Sequence, residues 1–242
     1  MGLGRRAVSA LARRLDRPEL VAAFYAGARL TLREEIAIPA VLAAALPAAG
    51  TYVDVGTNQG QVLREAVRVS PRGRHIAFEP IPALAAGLRR DFPDLDAREL
   101  AVGARPEEAE FCHFRRLEGW SGLRRSPEIS DEQGEPEYIR VRVSTLDAEL
   151  DGVSPDVVKI DVEGNELGVL EGARGVLSRA RPLLILEHVA SAAALYGAGS
   201  VAVWEELSGL GYEVFAITGE GPVARERFGA EGSAVNWLAR PA

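Results

Sequence analysis

The sequence has one cysteine, one lysine and three histidines in 242 residues. Cys112 alone can form neither a disulfide framework nor a cysteine-rich zinc site, and it fits a reducing cytoplasm. The formal net charge of -7 argues against general affinity for nucleic acid or anionic membranes, so we expect no nucleic-acid substrate. Arginine in place of lysine is typical of a GC-rich genome and indicates a bacterial source.

Long hydrophobic runs are also absent. No stretch reaches the ~18 apolar residues of a membrane-spanning helix, and the start lacks the apolar centre and cleavage site of a secretory signal. We therefore expect a cytoplasmic protein without a membrane span. Residues 1–50 are predicted as a helical lead-in, beginning with a basic amphipathic helix whose apolar positions recur from Leu3 to Leu15. Residues 51–242 are predicted as one α/β domain.

Strand and helix patterns alternate along this domain, which predicts a doubly wound, mostly parallel sheet. Residues 96–103 are predicted as its third strand. Residues 108–150 instead alternate as antiparallel strands do, and we interpret them as a β insertion. The polar loop at residues 115–137 is predicted to be either a substrate lid or disordered.

The most informative stretch is Asp54-Val-Gly56-Thr-Asn58-Gln-Gly60, which stands between a strand and a helix. Gly56 would let the backbone turn sharply, and Gly60 would let the helix start lie close to a ligand. A carboxylate at Asp54 suits a ligand with an amino group and a sulfonium, and would repel a pyrophosphate. The pattern therefore favours S-adenosylmethionine, with Asp54, Gly56, Asn58 and Gly60 as cofactor contacts. A strand-turn-helix without a ligand is the alternative, because lone glycine patterns are weak.

Ligands of such sheets bind beyond the carboxyl ends of the strands. Glu79 follows Asp54 at close to the ~20-residue offset at which an acidic residue accepts both ribose hydroxyls. We predict that Glu79 binds the cofactor ribose; a solvated strand end is its alternative. Pro80, Ala101 and Val102, at the ends of the second and third strands, are predicted as further cofactor contacts.

Two carboxylates, Asp161 and Glu163, end the fourth strand, which is otherwise buried. Charged groups at such a place cost desolvation free energy unless they serve a partner. Both are predicted as catalytic, and Asp161 also as a cofactor contact. The alternative is a helix entry with Asn165 as cap and Glu166 in the first turn, which does not need Asp161 or Glu163.

His188 follows Glu187 at the end of the fifth strand. We predict His188 as the general base that accepts the proton of an acceptor hydroxyl, with an ordinary strand-end histidine as the alternative. Asp161, Glu187 and His188 could instead hold a divalent cation such as Mg²⁺, which would lower the pKa of the acceptor. Their spacing does not decide between these two hypotheses.

Four side chains are predicted to bind the acceptor. Trp120 could stack on a sugar or another ring, and Arg124, with Arg125 as the alternative, could hold a carboxylate or phosphate. Ser121 lies between them in the same loop, and Glu187 lies at the end of the fifth strand. These four would form the substrate site.

Taken in order, the motifs resemble those of the FkbM-type methyltransferases. The matching blocks are Asp54-Val-Gly56-Thr-Asn58-Gln-Gly60, Phe78-Glu79-Pro80, Val143-Ser-Thr-Leu-Asp147, Lys159-Ile-Asp161-Val-Glu163-Gly164-Asn-Glu166 and Leu170-Glu-Gly172-Ala173. The resemblance covers roughly residues 50–217; Thr57, where the family often has a small residue such as alanine, is a mild departure. It implies the seven-stranded, Rossmann-like sheet of class I methyltransferases and S-adenosylmethionine as donor.

The same resemblance implies O-methylation of a small molecule: a sugar, a glycolipid or a secondary metabolite. The acceptor itself is not implied, because residues 1–50 and the loop at 115–137 lie outside the matching blocks. Two other functions stay open: an NAD(P)-dependent oxidoreductase on the same type of sheet, and a non-catalytic nucleotide-binding module. The expected partner is a small-molecule hydroxyl acceptor; the oligomeric state is open, with a homodimer as one option.

Overall fold

The structure, a computed structural model, describes residue 34 and residues 36–115, 118–125, 135–230 and 232–242. The predicted basic helix between Leu3 and Leu15 lies outside the described residues. Part of the predicted helical lead-in is described: residues 36–45 form helix α1.

The described residues form ten strands: β1 (Thr51–Val55), β2 (Arg74–Phe78), β3 (Asp96–Arg98), β4 (Ala101–Val102), β5 (Glu107–His113), β6 (Glu137–Ser144), β7 (Val157–Ile160), β8 (Leu183–Glu187), β9 (Tyr212–Ala216) and β10 (Asn236–Pro241). The helices after α1 are α2 (Gln61–Val69), α3 (Pro82–Asp91), α4 (Leu146–Glu149), α5 (Glu166–Glu171), α6 (Arg174–Ala180), α7 (Ala190–Ala194) and α8 (Ser200–Gly209). Short 3₁₀ helices cover Glu118–Trp120 and Arg225–Arg227. No helix in these described ranges is both long and apolar enough to cross a membrane.

The main sheet has seven strands in the order β3-β2-β1-β7-β8-β10-β9. Strand β10 is antiparallel to both of its neighbours, and the other neighbouring pairs are parallel. The predicted doubly wound, mostly parallel seven-stranded sheet is therefore confirmed.

A second, three-stranded sheet contains the predicted β insertion, in the order β4-β6-β5. Strand β5 is antiparallel to β6, as predicted, whereas β4 is parallel to β6. The single third strand predicted at residues 96–103 is wrong, because the chain turns at Leu100, whose N–H donates to the carbonyl oxygen of Arg98 at 3.0 Å. Leu100 is buried in the core there, and β4 continues in the other sheet.

Alternate residues of the central strands face opposite sides of the main sheet. Val53 and Val158 pack on one side with α5, α6 and α8, and Tyr52 and Val157 pack on the other with α1 and α2. Both faces are thus covered, and β1, β2, β7 and β8 end at one common edge. The charged residues that follow these strands meet there.

Candidate active site

The turn after β1 is fixed between the two neighbouring strands. Gly56 has φ +80°, and a Cβ there would lie 1.7 Å from the carbonyl oxygen of Asp161, so only glycine fits. The N–H groups of Gly56 and Thr57 donate to the carbonyl oxygen of Phe78 at 3.0 and 3.3 Å. The position of the turn is therefore determined by β2 on one side and by the end of β7 on the other.

Glu79 follows β2, and its carboxylate is held by backbone donors. Its Oε2 accepts a hydrogen bond from the N–H of Asn58, and its Oε1 accepts one from the N–H of Ile81, each at 2.8 Å. Glu79 is 4% exposed. A buried carboxylate held in a fixed orientation by backbone donors is suited to bind a ligand with neighbouring hydroxyls.

A cavity of about 640 Å³, which we call the Glu79 cavity, opens beside this carboxylate. Nine of the predicted site residues line it: Gly56, Asn58, Glu79, Pro80, Ala101, Val102, Ser121, Asp161 and Glu163. The other lining residues were not among the predicted site residues: Val55, Phe78, Ile81, Leu100, Phe111, Gly119, Leu123, Val162 and Asn165. Most of these are apolar, and a buried apolar position in a strand carries no signal that separates a cavity wall from ordinary core.

The remaining predicted residues do not line the Glu79 cavity: Asp54, Gly60, Trp120, Arg124, Glu187 and His188. Gly60 was predicted to let the helix start lie close to a ligand, and the structure gives it another neighbour. A Cβ on Gly60 would lie 2.9 Å from Cδ2 of Leu88 and 3.1 Å from Cε2 of Phe92. Gly60 therefore allows the helix start to pack against α3 and its end.

Asp54 lines a second cavity of about 1100 Å³, which we call the Lys159 cavity. Its lining is Asp54, Gly56, Thr57, Asn58, Gln59, Gln61, Val62, Arg115, Gly119, Lys159 and Asp161. Gly56, Asn58, Gly119 and Asp161 also line the Glu79 cavity, so the two cavities adjoin.

Lys159 joins two carboxylates in this cavity. Its Nζ lies 2.9 Å from Oδ2 of Asp161 and 3.6 Å from Oδ1 of Asp54, and Lys159 is 6% exposed. Burial would lower the pKa of Lys159, but the charges of Asp161 and Asp54 outweigh it and the pKa is raised. Burial raises the pKa of Asp54, although the Lys159 ammonium and the Tyr52 hydroxyl oppose the rise. The only lysine of the chain thus compensates buried negative charge.

Two further carboxyl groups near Asp161 have raised pKa values. Burial raises the pKa of Glu163 to about 9, and the negative charges of Asp161 and Glu187 add to the rise. The charge of Asp161 raises the pKa of Glu187 to about 7, and burial adds to it. Glu163 also has φ +54°, a left-handed conformation that is uncommon outside glycine. Asp161, Glu163 and Glu187 are therefore unfavourable when all three are ionised together.

His188, the predicted base, is 1% exposed, and both of its ring nitrogens have partners. Its Nδ1 lies 3.1 Å from Oε2 of Glu166, and its Nε2 lies 2.9 Å from Oγ of Ser200. Neither nitrogen points into the Glu79 cavity or the Lys159 cavity. The structure therefore does not bring His188 together with the other predicted catalytic residues, because sequence position places a residue at a strand end but does not give the direction of its side chain.

The predicted cation site has no support. Among the described residues, no group of three or more histidine, cysteine, aspartate or glutamate side chains is arranged to hold a metal ion. Asp161 instead accepts a hydrogen bond from Lys159, and the His188 ring is engaged by Glu166 and Ser200.

Three residues of the predicted lid, Gly119, Ser121 and Leu123, line the Glu79 cavity. Gly122 and Cys112 exchange two backbone hydrogen bonds of 2.8 and 3.1 Å, and Oγ of Ser121 accepts a hydrogen bond from the N–H of Phe114 at 3.0 Å. Trp120 is 39% exposed. Arg124 lines a third cavity of about 1410 Å³, together with Tyr196 and residues of the small sheet and α5. Residues 116, 117 and 126–134 of the loop lie outside the described residues.

Glu34 is a buried residue that sequence reasoning did not select. Its carboxylate accepts hydrogen bonds from the N–H groups of Val235 and Asn236 at 3.2 and 3.3 Å, and from Nδ2 of Asn236 at 3.1 Å. It thereby ties the chain before α1 to the start of β10. No local pattern could reveal a contact between residues about 200 positions apart.

Comparison with known proteins gives one family. The model of the methyltransferase FkbM domain matches residues 54–214. No protein of curated function matches the sequence.

Several solved structures are similar in fold. An FkbM methyltransferase from Methylobacillus flagellatus KT has 16% identity and a TM-score of 0.49; the alignment covers 80% of this chain and 44% of that chain. A precorrin-6y C5,15-methyltransferase from Geobacter metallireducens GS-15 has 15% identity and a TM-score of 0.45, with 84% and 87% covered. An O-methyltransferase from Bacillus cereus, in complex with S-adenosylhomocysteine, has 13% identity and a TM-score of 0.42, with 86% and 79% covered.

Proposed function

Because the chain belongs to the FkbM family of S-adenosylmethionine-dependent methyltransferases, we propose that it methylates a hydroxyl group of a small polar molecule such as a sugar, a glycolipid or a secondary metabolite. The observation that carries this proposal is the Glu79 carboxylate, which backbone donors hold at the wall of a cavity formed by the glycine turn. The family match favours methyl transfer over the oxidoreductase and the non-catalytic binding module.

The residues of the Glu79 cavity fit the proposed donor. Glu79 would accept hydrogen bonds from the two ribose hydroxyls, and the apolar side chains of Ile81, Val102 and Phe111 would cover the adenine. Asp161 and Glu163, at the other end of the lining, would lie near the positive charge of the donor. When bound, S-adenosylmethionine supplies an electrophilic methyl group on a sulfonium.

We place the acceptor in the Lys159 cavity, which adjoins the donor cavity at Gly56 and Asp161. Amide and cationic side chains, including Gln61 and Arg115, line it and are suited to a molecule with several hydroxyl groups. The predicted lid residues Trp120 and Ser121 would close over the donor. Holding the acceptor oxygen in line with the methyl group can supply much of the rate acceleration.

For the proton of the acceptor hydroxyl we propose Asp161 and Glu187 in place of His188: Asp161 lines both cavities and would meet the hydroxyl, and Glu187, which lines neither cavity but interacts with Asp161, would take up the proton. The charge of Asp161 and burial raise the pKa of Glu187 to about 7, and a base is most effective when its pKa lies near the working pH. His188 has both ring nitrogens engaged within the protein. The remaining parts of the proposal are a cytoplasmic location and a small-molecule partner.

Calorimetric titration tests the donor assignment. S-adenosylhomocysteine should bind and NAD⁺ should not, because the Asp161 carboxylate, which lines the donor cavity, would repel a pyrophosphate. Binding of NAD⁺ alone would contradict the proposal and restore the oxidoreductase hypothesis.

A second experiment tests the base, using labelled S-adenosylmethionine and a panel of sugars and polyketides to find an acceptor. Glu187→Gln should lower the rate on the order of 10²–10⁴-fold, and the wild-type rate should fall below about pH 7 as Glu187 takes up a proton. EDTA should have no effect. Loss of activity in EDTA with recovery in Mg²⁺ would contradict the proton-transfer role and support a metal-assisted reaction.

A further inference from the structure

A buried chain of three polar side chains lies behind the proposed donor site. Oε2 of Glu166 lies 3.1 Å from Nδ1 of His188, and Oγ of Ser200 lies 2.9 Å from Nε2 of His188. Glu166 and His188 are both 1% exposed. These residues stand at the start of α5, after β8 and at the start of α8, so the chain links three elements that are distant in sequence.

The Glu166 end of this chain reaches the loop that carries Glu163. Oε1 of Glu166 accepts a hydrogen bond from the N–H of Gly164 at 2.8 Å. Gly164 has φ +104°, and a Cβ on it would lie 2.4 Å from the backbone of Ala192. The loop is therefore held between Glu166 and the start of α7, next to Glu163.

The His188 ring itself is fixed on the side away from the cavities. It stacks on the ring of Phe228 with centroids 4.8 Å apart and planes 13° from parallel. Its backbone N–H donates to the carbonyl oxygen of Val235 at 2.8 Å. A Cβ on Gly229 would lie 2.3 Å from Oγ of Ser200 and 3.1 Å from Cδ2 of His188. The backbone of Gly229 thus covers the serine oxygen.

The order Glu166, His188, Ser200 resembles that of a hydrolytic triad, but the surroundings argue for another role. None of the three residues lines any of the three cavities described above. A nucleophile must meet its substrate, whereas a buried and fully paired network fixes geometry.

We propose that His188 is a positioning residue, which acts through Glu166 and the N–H of Gly164 to hold Glu163 against the donor. A left-handed conformation at a residue with a side chain costs of order 1–3 kcal/mol and persists only where the surroundings impose it. The hydrogen bond at Gly164 and the packing of Ala192 impose it here. The part of this inference that concerns the donor rests on the proposed function; the part that concerns the loop does not.

Hydrogen exchange tests the loop directly and needs no cofactor. In His188→Ala, Glu166 loses the partner of Oε2, so the Gly164 N–H should exchange about tenfold faster or more than in the wild type. The matched control is His75→Ala, which removes another buried histidine, hydrogen-bonded to the carbonyl oxygen of Ser70 at 2.9 Å at the opposite edge of the sheet. An unchanged exchange rate of the Gly164 N–H in His188→Ala would overturn the proposal, whichever cofactor the protein binds.

A double-mutant cycle tests the connection to Glu163, with binding of S-adenosylmethionine in the absence of an acceptor as the readout, because this ligand carries the sulfonium charge. Glu163→Ala and His188→Ala should each raise Kd by about tenfold, and the double variant by no more than about tenfold. If His188 only supports the fold, the two increases in Kd should multiply to about a hundredfold. In the control pair, any increase in Kd caused by His75→Ala should likewise multiply with that caused by Glu163→Ala. Multiplied losses, or no loss from either single change, would overturn the connection.

Conservative variants complete the test and protect it from misfolding. His188→Asn can still donate to Glu166, so it should restore Gly164 protection and Kd towards the wild type. Ser200→Ala removes only the contact between Oγ of Ser200 and Nε2 of His188. Its Gly164 exchange rate and its Kd should lie between those of the wild type and those of His188→Ala. If His188→Asn is as impaired as His188→Ala, the contact with Glu166 is not the one that matters and the proposal fails. If the wild type binds no S-adenosylhomocysteine, the proposed function is wrong. Hydrogen exchange then still tests whether His188 holds the loop at Gly164.

Discussion

Glu79 and the group of Asp161, Glu163 and Glu187 are carboxylates at the same edge of the same sheet, but their surroundings differ. Glu79 accepts hydrogen bonds from two backbone N–H groups at 2.8 Å, at the turn and just after β2. Within the group, burial and mutual repulsion raise the pKa of Glu163 to about 9 and that of Glu187 to about 7. Lys159, hydrogen-bonded to Asp161, is the cation that balances the group.

The two surroundings are suited to different parts of a ligand. A carboxylate held in a fixed orientation by backbone donors is suited to bind neutral hydroxyl groups. Crowded carboxylates are unfavourable together until a cation approaches, so they favour a positively charged ligand. A molecule with a ribose at one end and a sulfonium at the other fits both environments. Each of the three changes below removes one part of this comparison.

The largest expected effect follows from removing the balancing cation. Lys159→Met leaves Asp54 and Asp161 without the ammonium that lies 3.6 and 2.9 Å from them. Breaking a buried ion pair by removing one partner costs about 3–5 kcal/mol in the free energy of unfolding. Urea denaturation at pH 7 measures it.

Arg68→Met is the matched control for Lys159→Met. It breaks an exposed ion pair with Glu65 of 2.8 Å, and such pairs contribute about 1 kcal/mol or less. A loss of stability from Lys159→Met as small as that of the control would show that the acidic group is not crowded in the way we describe.

The second-largest effect is expected from removing the Glu79 carboxylate. Glu79→Ala should weaken binding of S-adenosylhomocysteine by about 2–3 kcal/mol, or roughly 30–150-fold in Kd, because buried ribose donors would lose a charged acceptor. Glu79→Gln keeps the shape of the side chain and should lose less binding affinity. Calorimetry measures both.

Glu99→Ala is the control for Glu79→Ala, since Glu99 is an exposed carboxylate that pairs with Arg89 at 3.2 Å. Its Kd should equal that of the wild type. If Glu79→Ala also keeps the wild-type affinity, Glu79 does not contact the ligand and serves only the turn.

The sequence predicted the class I methyltransferase sheet because strand and helix periodicity and the glycine turn are local signals. It also predicted that Glu79 and Asp161 lie together at one edge of the sheet, since the last residue of a parallel strand stands there whatever its side chain does. Their roles in binding and catalysis stay predictions. The motif order then identified the family.

Other parts of the site depend on information that no local pattern carries. His188 was predicted as a base from its position alone, but the direction of its ring is set by Glu166, Ser200 and Phe228, which come from three other segments. The Glu34 contact with Asn236 is likewise non-local. Packing, rather than periodicity, determines such contacts.

The smallest expected effect is a change in the pH dependence of stability when Glu163 is replaced. The pKa of Glu163 in the folded protein is about 9, well above the ordinary value of a glutamate, because burial and the charges of Asp161 and Glu187 disfavour its ionised form. A group whose folded pKa is raised contributes stability that is fully present below its unfolded pKa and is lost as the pH rises through the folded value. This contribution is therefore lost between about pH 4.5 and pH 9.

Glu163→Gln replaces the carboxyl with a neutral group of similar shape, so it should change the melting temperature little at pH 5. At pH 9 it should stabilise the protein by about 1 kcal/mol or more, at roughly 2–4 °C for each kcal/mol in a chain of this size. Calorimetric melting at both pH values measures the difference, with the exposed Glu213→Gln as a control that should show none. If Glu163→Gln is neutral or destabilising at pH 9, the ionised carboxylate is well accommodated without a cationic ligand. The distinction between Glu79 and the acidic group would then rest on Glu187 alone.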